Sequence, residues 1–101
     1  MSDCIYTIDQ IKMYLAPVLS QYNVKSATLF GSYGKGSANE SSDVDLLVDS
    51  GLKGLKFVGL IEALRAALDK EMDVFDISHV EKGTEIEHEI AETGVKIYEK
   101  P

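Results

Sequence analysis

The sequence predicts a mixed α/β (α+β) fold in which a small β-sheet packs with helices. Three observations carry that prediction. Apolar residues recur at helical spacing in some segments and alternate with a period of two in shorter ones, in the order helix, strand, strand, helix, strand, helix, strand. The composition, 45% hydrophobic and 27% charged, is that of a chain able to bury a core rather than a disordered one. Its 101 residues suffice for one modest core, so a single domain is expected over residues 1–101.

Each element has its own signal. Thr7-x-x-Gln10 has the form of a capping box, and Ile8, Ile11, Leu15, Val18, Leu19 and Tyr22 follow at near-helical spacing. They predict a helix from Ile8 to Tyr22, kinked at Pro17 and ended by Asn23. Lys25 to Phe30 reads as a short strand that Gly31 stops. After a polar loop, Val44, Leu46 and Val48 face one way and Asp43, Asp45 and Leu47 the other, in a strand ending near Asp49-Ser50-Gly51. Leu55, Val58, Ile61, Leu64 and Leu68 predict a second helix, with Glu62, Arg65 and Asp69 toward water. Met72 to Ile77 is a third strand. Glu81 to Thr93 is an amphipathic helix with Ile86 and Ile90 inward, closed by Gly94 at C′, and Val95 to Tyr98 is a last strand.

Composition also excludes functions. No apolar run is long enough to span a bilayer, the N-terminus lacks a basic-then-apolar leader pattern, and no repeat or low-complexity tract is present. The single cysteine, Cys4, forms no internal disulfide and suits a reducing compartment, so a cytoplasmic location without a membrane partner is expected. The net charge is −7, and the ten basic residues are scattered, with Arg65 the only arginine. A chain so acidic is poorly suited to gripping a polynucleotide, which relies on clustered lysine and arginine. A protein partner or a small metal-bound substrate suits it better.

The stretch with chemical content is Phe30-Gly31-Ser32 through Asp43-Val44-Asp45. Residues i and i+2 of a strand project from one face, so Asp43 and Asp45 hold two carboxylates close enough to repel. Two acids at a strand end can simply face water. A hard divalent cation would also remove the conflict, and Mg²⁺ favours one or two carboxylates together with substrate phosphates and water. Gly31 permits a sharp turn and a close approach of backbone to a ligand, and Ser32 adds a hydroxyl and an N–H at the start of a possible helical turn that would suit phosphate oxygens. An ordinary β-turn would need the same glycine. Two other phosphate motifs are absent: Lys35 is followed by Gly36, not Ser or Thr, and position 39 is Asn where a dinucleotide fingerprint needs Gly.

Gly31-Ser32, ten residues, then Asp43-Val44-Asp45 resembles the signature of the nucleotidyltransferase superfamily that includes DNA polymerase β, in particular its minimal nucleotidyltransferase (MNT) members. Phe30 before the turn, Ser42 before the first aspartate, the Leu46-Leu47-Val48 strand and a later strand with a further acid extend the resemblance over nearly the whole chain. Members often carry Arg-x-Arg-Gly after Gly-Ser. Here Tyr33-Gly34-Lys35-Gly36 stands instead, and Lys35 offers a point charge in place of a planar fork. The resemblance implies the nucleotidyltransferase fold, ATP as donor and two Mg²⁺ ions. Asp43 and Asp45 would hold both ions and Asp73 one, while Gly31, Ser32, Lys35 and Ser42 would line the triphosphate. For the third carboxylate, Asp73 and Asp76 differ by three and face opposite sides of their strand; Asp73 matches the family position better, and Asp76 reads as a strand-edge or loop acid.

MNT proteins look like antitoxins paired with a HEPN-type ribonuclease toxin, so the resemblance further implies AMP transfer to a toxin tyrosine. The rival expectations are a binding-only antitoxin with a vestigial site and a transferase acting on a small molecule such as an aminoglycoside. Outside the motif the readings are plain. His79 and His88 lack metal-ligand spacing, and Glu85, Glu87, Glu89 and Glu92 read as a solvated helix face. Tyr6, Tyr14 and Tyr22 read as core or interface, whereas Tyr33 is a candidate for stacking on a nucleotide or a partner.

Overall fold

The computed structural model describes residues 6–34 and 43–100. The elements run α1 (Ile8–Gln21), β1 (Ser26–Phe30), α2 (Gly31–Gly34), β2 (Val44–Asp49), α3 (Leu55–Leu68), β3 (Met72–Asp76), a 3₁₀ turn (Ile77–His79), α4 (Glu85–Thr93) and β4 (Val95–Glu99). The mixed α/β class and the order of helices and strands are as the sequence predicts; the single turn of α2 and the 3₁₀ turn are additions.

The strands form one sheet in the order β3-β2-β1-β4. β1 runs antiparallel to β2 and β4, and β2 runs parallel to β3 through the α3 crossover. Register decides which side chains share a face. Leu29 pairs with Leu46 and Ala27 with Val48, while Val44 stands opposite Met72 and Leu46 opposite Val74. These residues turn toward the helices, where Ile11, Leu15 and Leu19 of α1 and Leu60, Leu64 and Leu68 of α3 join them in one buried cluster. Each such leucine contributes about 1.5–3 kcal/mol by leaving water. On the opposite face the same register lines up Phe30 with Asp45 and Asp45 with Asp73.

The capping box forms as expected: Thr7 Oγ1 accepts from Gln10 N at 3.0 Å and Gln10 Oε1 from Thr7 N at 2.9 Å. α1 continues through Pro17, and Asn23 beyond its end takes a left-handed φ of 58°. Three expectations are corrected. In α3 the inward stripe is Leu60, Leu64 and Leu68, whereas Leu55 and Val58 are 88% and 50% exposed. The segment LKFVGLIEALRAAL has apolar residues on more than one side, and packing against α1 chooses between phases that periodicity alone leaves open. α4 begins at Glu85 rather than Glu81, because Thr84 caps it by accepting from Glu87 N at 3.3 Å. Gly94 has an ordinary φ of −66°; it is glycine because a Cβ there would overlap the Ile90 carbonyl.

Asp76 is a load of a different kind from the one expected of it. It is 3% exposed, not a loop acid, and its carboxylate accepts from Ser50 N (3.1 Å), Ser50 Oγ (2.7 Å), Ser78 N (3.0 Å) and Ser78 Oγ (2.6 Å). It thereby ties the end of β2 to the turn after β3. Burial alone would raise its pKa, but the hydrogen bonds from Ser78 and Ser50 outweigh that and hold it down to about 2.

Candidate active site

The face of the sheet away from α1 and α3 carries the acids that the sequence singles out. Asp45 on β2 and Asp73 on β3 are register partners on adjacent parallel strands, and their carboxyl groups share a hydrogen bond. Asp43 stands exposed just before β2 and adds its charge to the same region. Phe30 and Phe75 sit on this face with ring centroids 5.8 Å apart, an apolar footing beside the two acids. Asp76, three residues from Asp73, points into the opposite layer, as the period of two requires.

Gly31 closes the site from the β1 side. It has φ +74°, and a Cβ built on it would overlap Asp45 Oδ2 and lie 3.2 Å from Glu89 Oε1. Both facts select glycine: the backbone conformation is one L side chains rarely adopt, and the space is already taken by a carboxylate. α2 then makes one helical turn, Gly31–Gly34, with Ser32 half-buried in it. The Gly31 N–H is not free for a phosphate, because it donates to Thr93 Oγ1 at 2.9 Å. Lys35 and Ser42 lie outside the described residues. Tyr33 does not stack toward a ligand; it is 3% exposed and belongs to the core cluster.

One neighbour went unrecognised in the sequence. Glu89, assigned there to a solvated helix face, sits beside Gly31 and Asp45 at the C-terminal half of α4. Its signal was weak: it adjoins Ile90 and lies three residues from Ile86, on the rim of the inward stripe. Thr93 fixes this end of α4, accepting from Gly31 N and donating to the Glu89 carbonyl at 2.7 Å. Gly34 completes the fit, since a Cβ on it would overlap the Thr93 carbonyl oxygen.

The electrostatics are one-sided. Asp45 has its pKa raised to about 6, first by burial, then by the charges of Asp73, Glu89 and Asp43, and by the hydrogen bond that its protonated form donates to Asp73. Among the described residues, no three histidine, cysteine or acidic side chains converge tightly enough to enclose an ion. Asp45 and Asp73 instead stand side by side as register partners on adjacent strands. Such a donor set fits a hard divalent cation: the oxygens are adjacent, held on rigid strands and short of positive charge.

The comparisons with known proteins agree on the kind of fold that carries this arrangement. The family described as Polymerase beta, Nucleotidyltransferase matches residues 13–101. The protein adenylyltransferase MntA of Thermococcus cleftensis is 35% identical over 83 residues, 76% of this chain and 84% of that one. A Methanocaldococcus jannaschii chain provisionally named a protein adenylyltransferase is 37% identical over 75 residues, 72% of this chain and 81% of that one. Among solved structures, a toxin–antitoxin complex with AMP-PNP has a TM-score of 0.74 at 22% identity, covering 88% of this chain and 73% of the other. A tri-AMPylated Shewanella oneidensis HEPN toxin in complex with MNT antitoxin has a TM-score of 0.70 at 19% identity, covering 93% and 74%.

Proposed function

The chain belongs to the polymerase β nucleotidyltransferase family, and from that premise we propose that it is an antitoxin that transfers AMP from ATP to a tyrosine hydroxyl of a cognate HEPN-type toxin. The observation that carries this reading is the pairing of Asp45 with Asp73 beside the Gly31-Ser32 turn, an uncompensated acidic site on the open face of the sheet. Relatives named as protein adenylyltransferases support the reaction class, and the AMPylated toxin in a complex of the same fold supports the acceptor. The acidic surface, with its net charge of −7, suits a basic ribonuclease partner better than nucleic acid. No helix among the described residues is long and apolar enough to cross a membrane.

In this reading Asp45 and Asp73, with Asp43 beside them, would hold the Mg²⁺ ions that the family implies. When bound, the ions neutralise the carboxylates and stabilise charge on the attacking and leaving oxygens of an in-line displacement. Ser32 donates its hydroxyl and N–H to the phosphates, with Lys35 and Ser42 completing the cradle. Asp73 orients the acceptor hydroxyl and receives its proton as the bond from oxygen to the α-phosphorus forms. The bond from that phosphorus to the bridging oxygen breaks, and pyrophosphate leaves. The Gly31 backbone serves by admitting Asp45, not by binding phosphate.

The test is incubation with α-labelled ATP, Mg²⁺ and the HEPN-type protein that co-purifies with this chain. Label is expected on the partner, lost with partner tyrosine-to-phenylalanine variants and with Asp45→Asn. Tight binding of the partner with no label transferred would overturn the reading in favour of inhibition by contact alone.

A further inference from the structure

We propose that Glu89 is a positioning carboxylate of the cation site, strengthening cation binding at Asp45 and Asp73 through its charge rather than by direct ligation. This rests on the reading of that pair as a cation site and adds a residue that the Gly-Ser and Asp-x-Asp pattern does not contain. The geometry is specific. The position a Gly31 side chain would fill is overlapped by Asp45 Oδ2 and lies 3.2 Å from Glu89 Oε1, so the two carboxylates meet over one bare stretch of backbone. α4 buries no residue fully, and its C-terminal half is instead fastened by Thr93, which links Gly31 N to the Glu89 carbonyl. That bond fixes the backbone from which Glu89 projects at the very glycine that admits Asp45.

Glu89 has no evident structural reason to be acidic. It is exposed, and no ion pair among the described residues neutralises it; the neighbouring pair on α4 joins His88 to Glu92 instead. Its cost is repulsion toward Asp45, which a bound cation would turn into attraction. Because the described acids do not converge in threes, Glu89 acts across space. A charge at this range, partly solvated, changes the affinity for a divalent ion by roughly three- to tenfold at low ionic strength, and salt screens it.

The experiment titrates Mn²⁺ alone into the full chain, by calorimetry or by loss of the free-ion electron spin resonance signal. Wild type, Glu89→Gln, Glu89→Asp and Asp45→Asn are compared at low and high salt, each checked for fold by circular dichroism. The expected result is a roughly three- to tenfold weakening in Glu89→Gln that narrows at high salt, most of the affinity kept in Glu89→Asp, and no measurable site in Asp45→Asn. Wild-type affinity in Glu89→Gln, with Asp45→Asn still dead, overturns the role of Glu89 and leaves the site standing. Complete, salt-independent loss in Glu89→Gln also overturns it, by making Glu89 a direct ligand. No binding by wild type, or full binding by Asp45→Asn, overturns the underlying site.

Discussion

At the scale of single residues, the site depends on what Gly31 lacks. A methyl group there would meet Asp45 Oδ2 on a backbone held at φ +74°, so Gly31→Ala must move either the carboxylate or the turn. Positive φ in a residue with a Cβ costs about 1–3 kcal/mol, and the overlap adds to it. Gly31→Ala is therefore expected to lower the denaturant midpoint and to abolish cation binding, whereas Gly51→Ala, at φ +69° but with open space around it, should lower stability alone. Equal, purely structural losses in both would show that the carboxylate contact does not matter. Gly31, Asp43 and Asp45 were legible as candidates because turn, spacing and strand alternation are local properties, and Asp73 because the family resemblance points to its strand position. Glu89 and Thr93 were not, since they meet Gly31 across about sixty intervening residues and only the docking of α4 brings them there. Asp76 does end the edge strand β3, but its burial was not legible for a related reason: Ser78 is two residues on, whereas Ser50 lies on a separate segment that the parallel β2–β3 pairing brings to it.

At the scale of elements, local signals located every helix and strand longer than one turn, and misplaced what neighbours decide. The capping box of α1 and the alternation of β2 are complete within a few residues and needed no tertiary context. The phase of α3 did need it. The expected series Leu55, Val58, Ile61, Leu64 and Leu68 holds for Leu64 and Leu68, but Leu60 completes the buried stripe while Leu55 and Val58 stand exposed. This difference is measurable. Leu64→Ala is expected to cost about 2–5 kcal/mol, because a fully buried leucine leaves a cavity. Leu55→Ser, at the exposed first position of the helix, should fall within about 0.5 kcal/mol of wild type. Urea titrations of the two variants test the stripe; a loss at Leu55 as large as that at Leu64 would overturn it. α4 is the element whose start was misjudged by four residues, although Thr84 and Glu87 stand at capping-box spacing. Gly83 N donates to Glu87 Oε1 at 2.9 Å, one residue before the cap rather than at it, so the box is only half formed.

At the scale of the whole molecule, buried Asp76 and half-buried Asp45 pull stability in opposite directions, and the site is on the losing side. Asp76 has its folded pKa held down, from 3.8 to about 2, so its contribution is fully present above pH 3.8 and is lost as pH falls through about 2. That shift corresponds to about 2 kcal/mol. Asp45 has its folded pKa raised, from 3.8 to about 6, so its contribution is fully present below pH 3.8 and is lost as pH rises through about 6. Without metal, the two acids together favour the fold most near pH 4, with the Asp76 share lost on the acid side and the Asp45 share lost on the alkaline side. The consequence is that the residue most needed for cation binding destabilises the metal-free fold at neutral pH. In the presence of a chelator, Asp45→Asn should melt above wild type at pH 7, and the gain should fade as pH falls from about 6 and be gone below about 4, where the carboxyl is protonated in both folded and unfolded wild type. Asp76→Asn should behave in the opposite sense, melting below wild type at pH 7 because an amide presents its own N–H groups to serine donors, with the deficit shrinking toward pH 2. Thermal melts of the three proteins from pH 2.5 to 7.5 test both limbs. If Asp45→Asn melted at or below wild type at pH 7, the acids around Gly31 would not be in uncompensated contact, and the reason for a cation at this site would be gone.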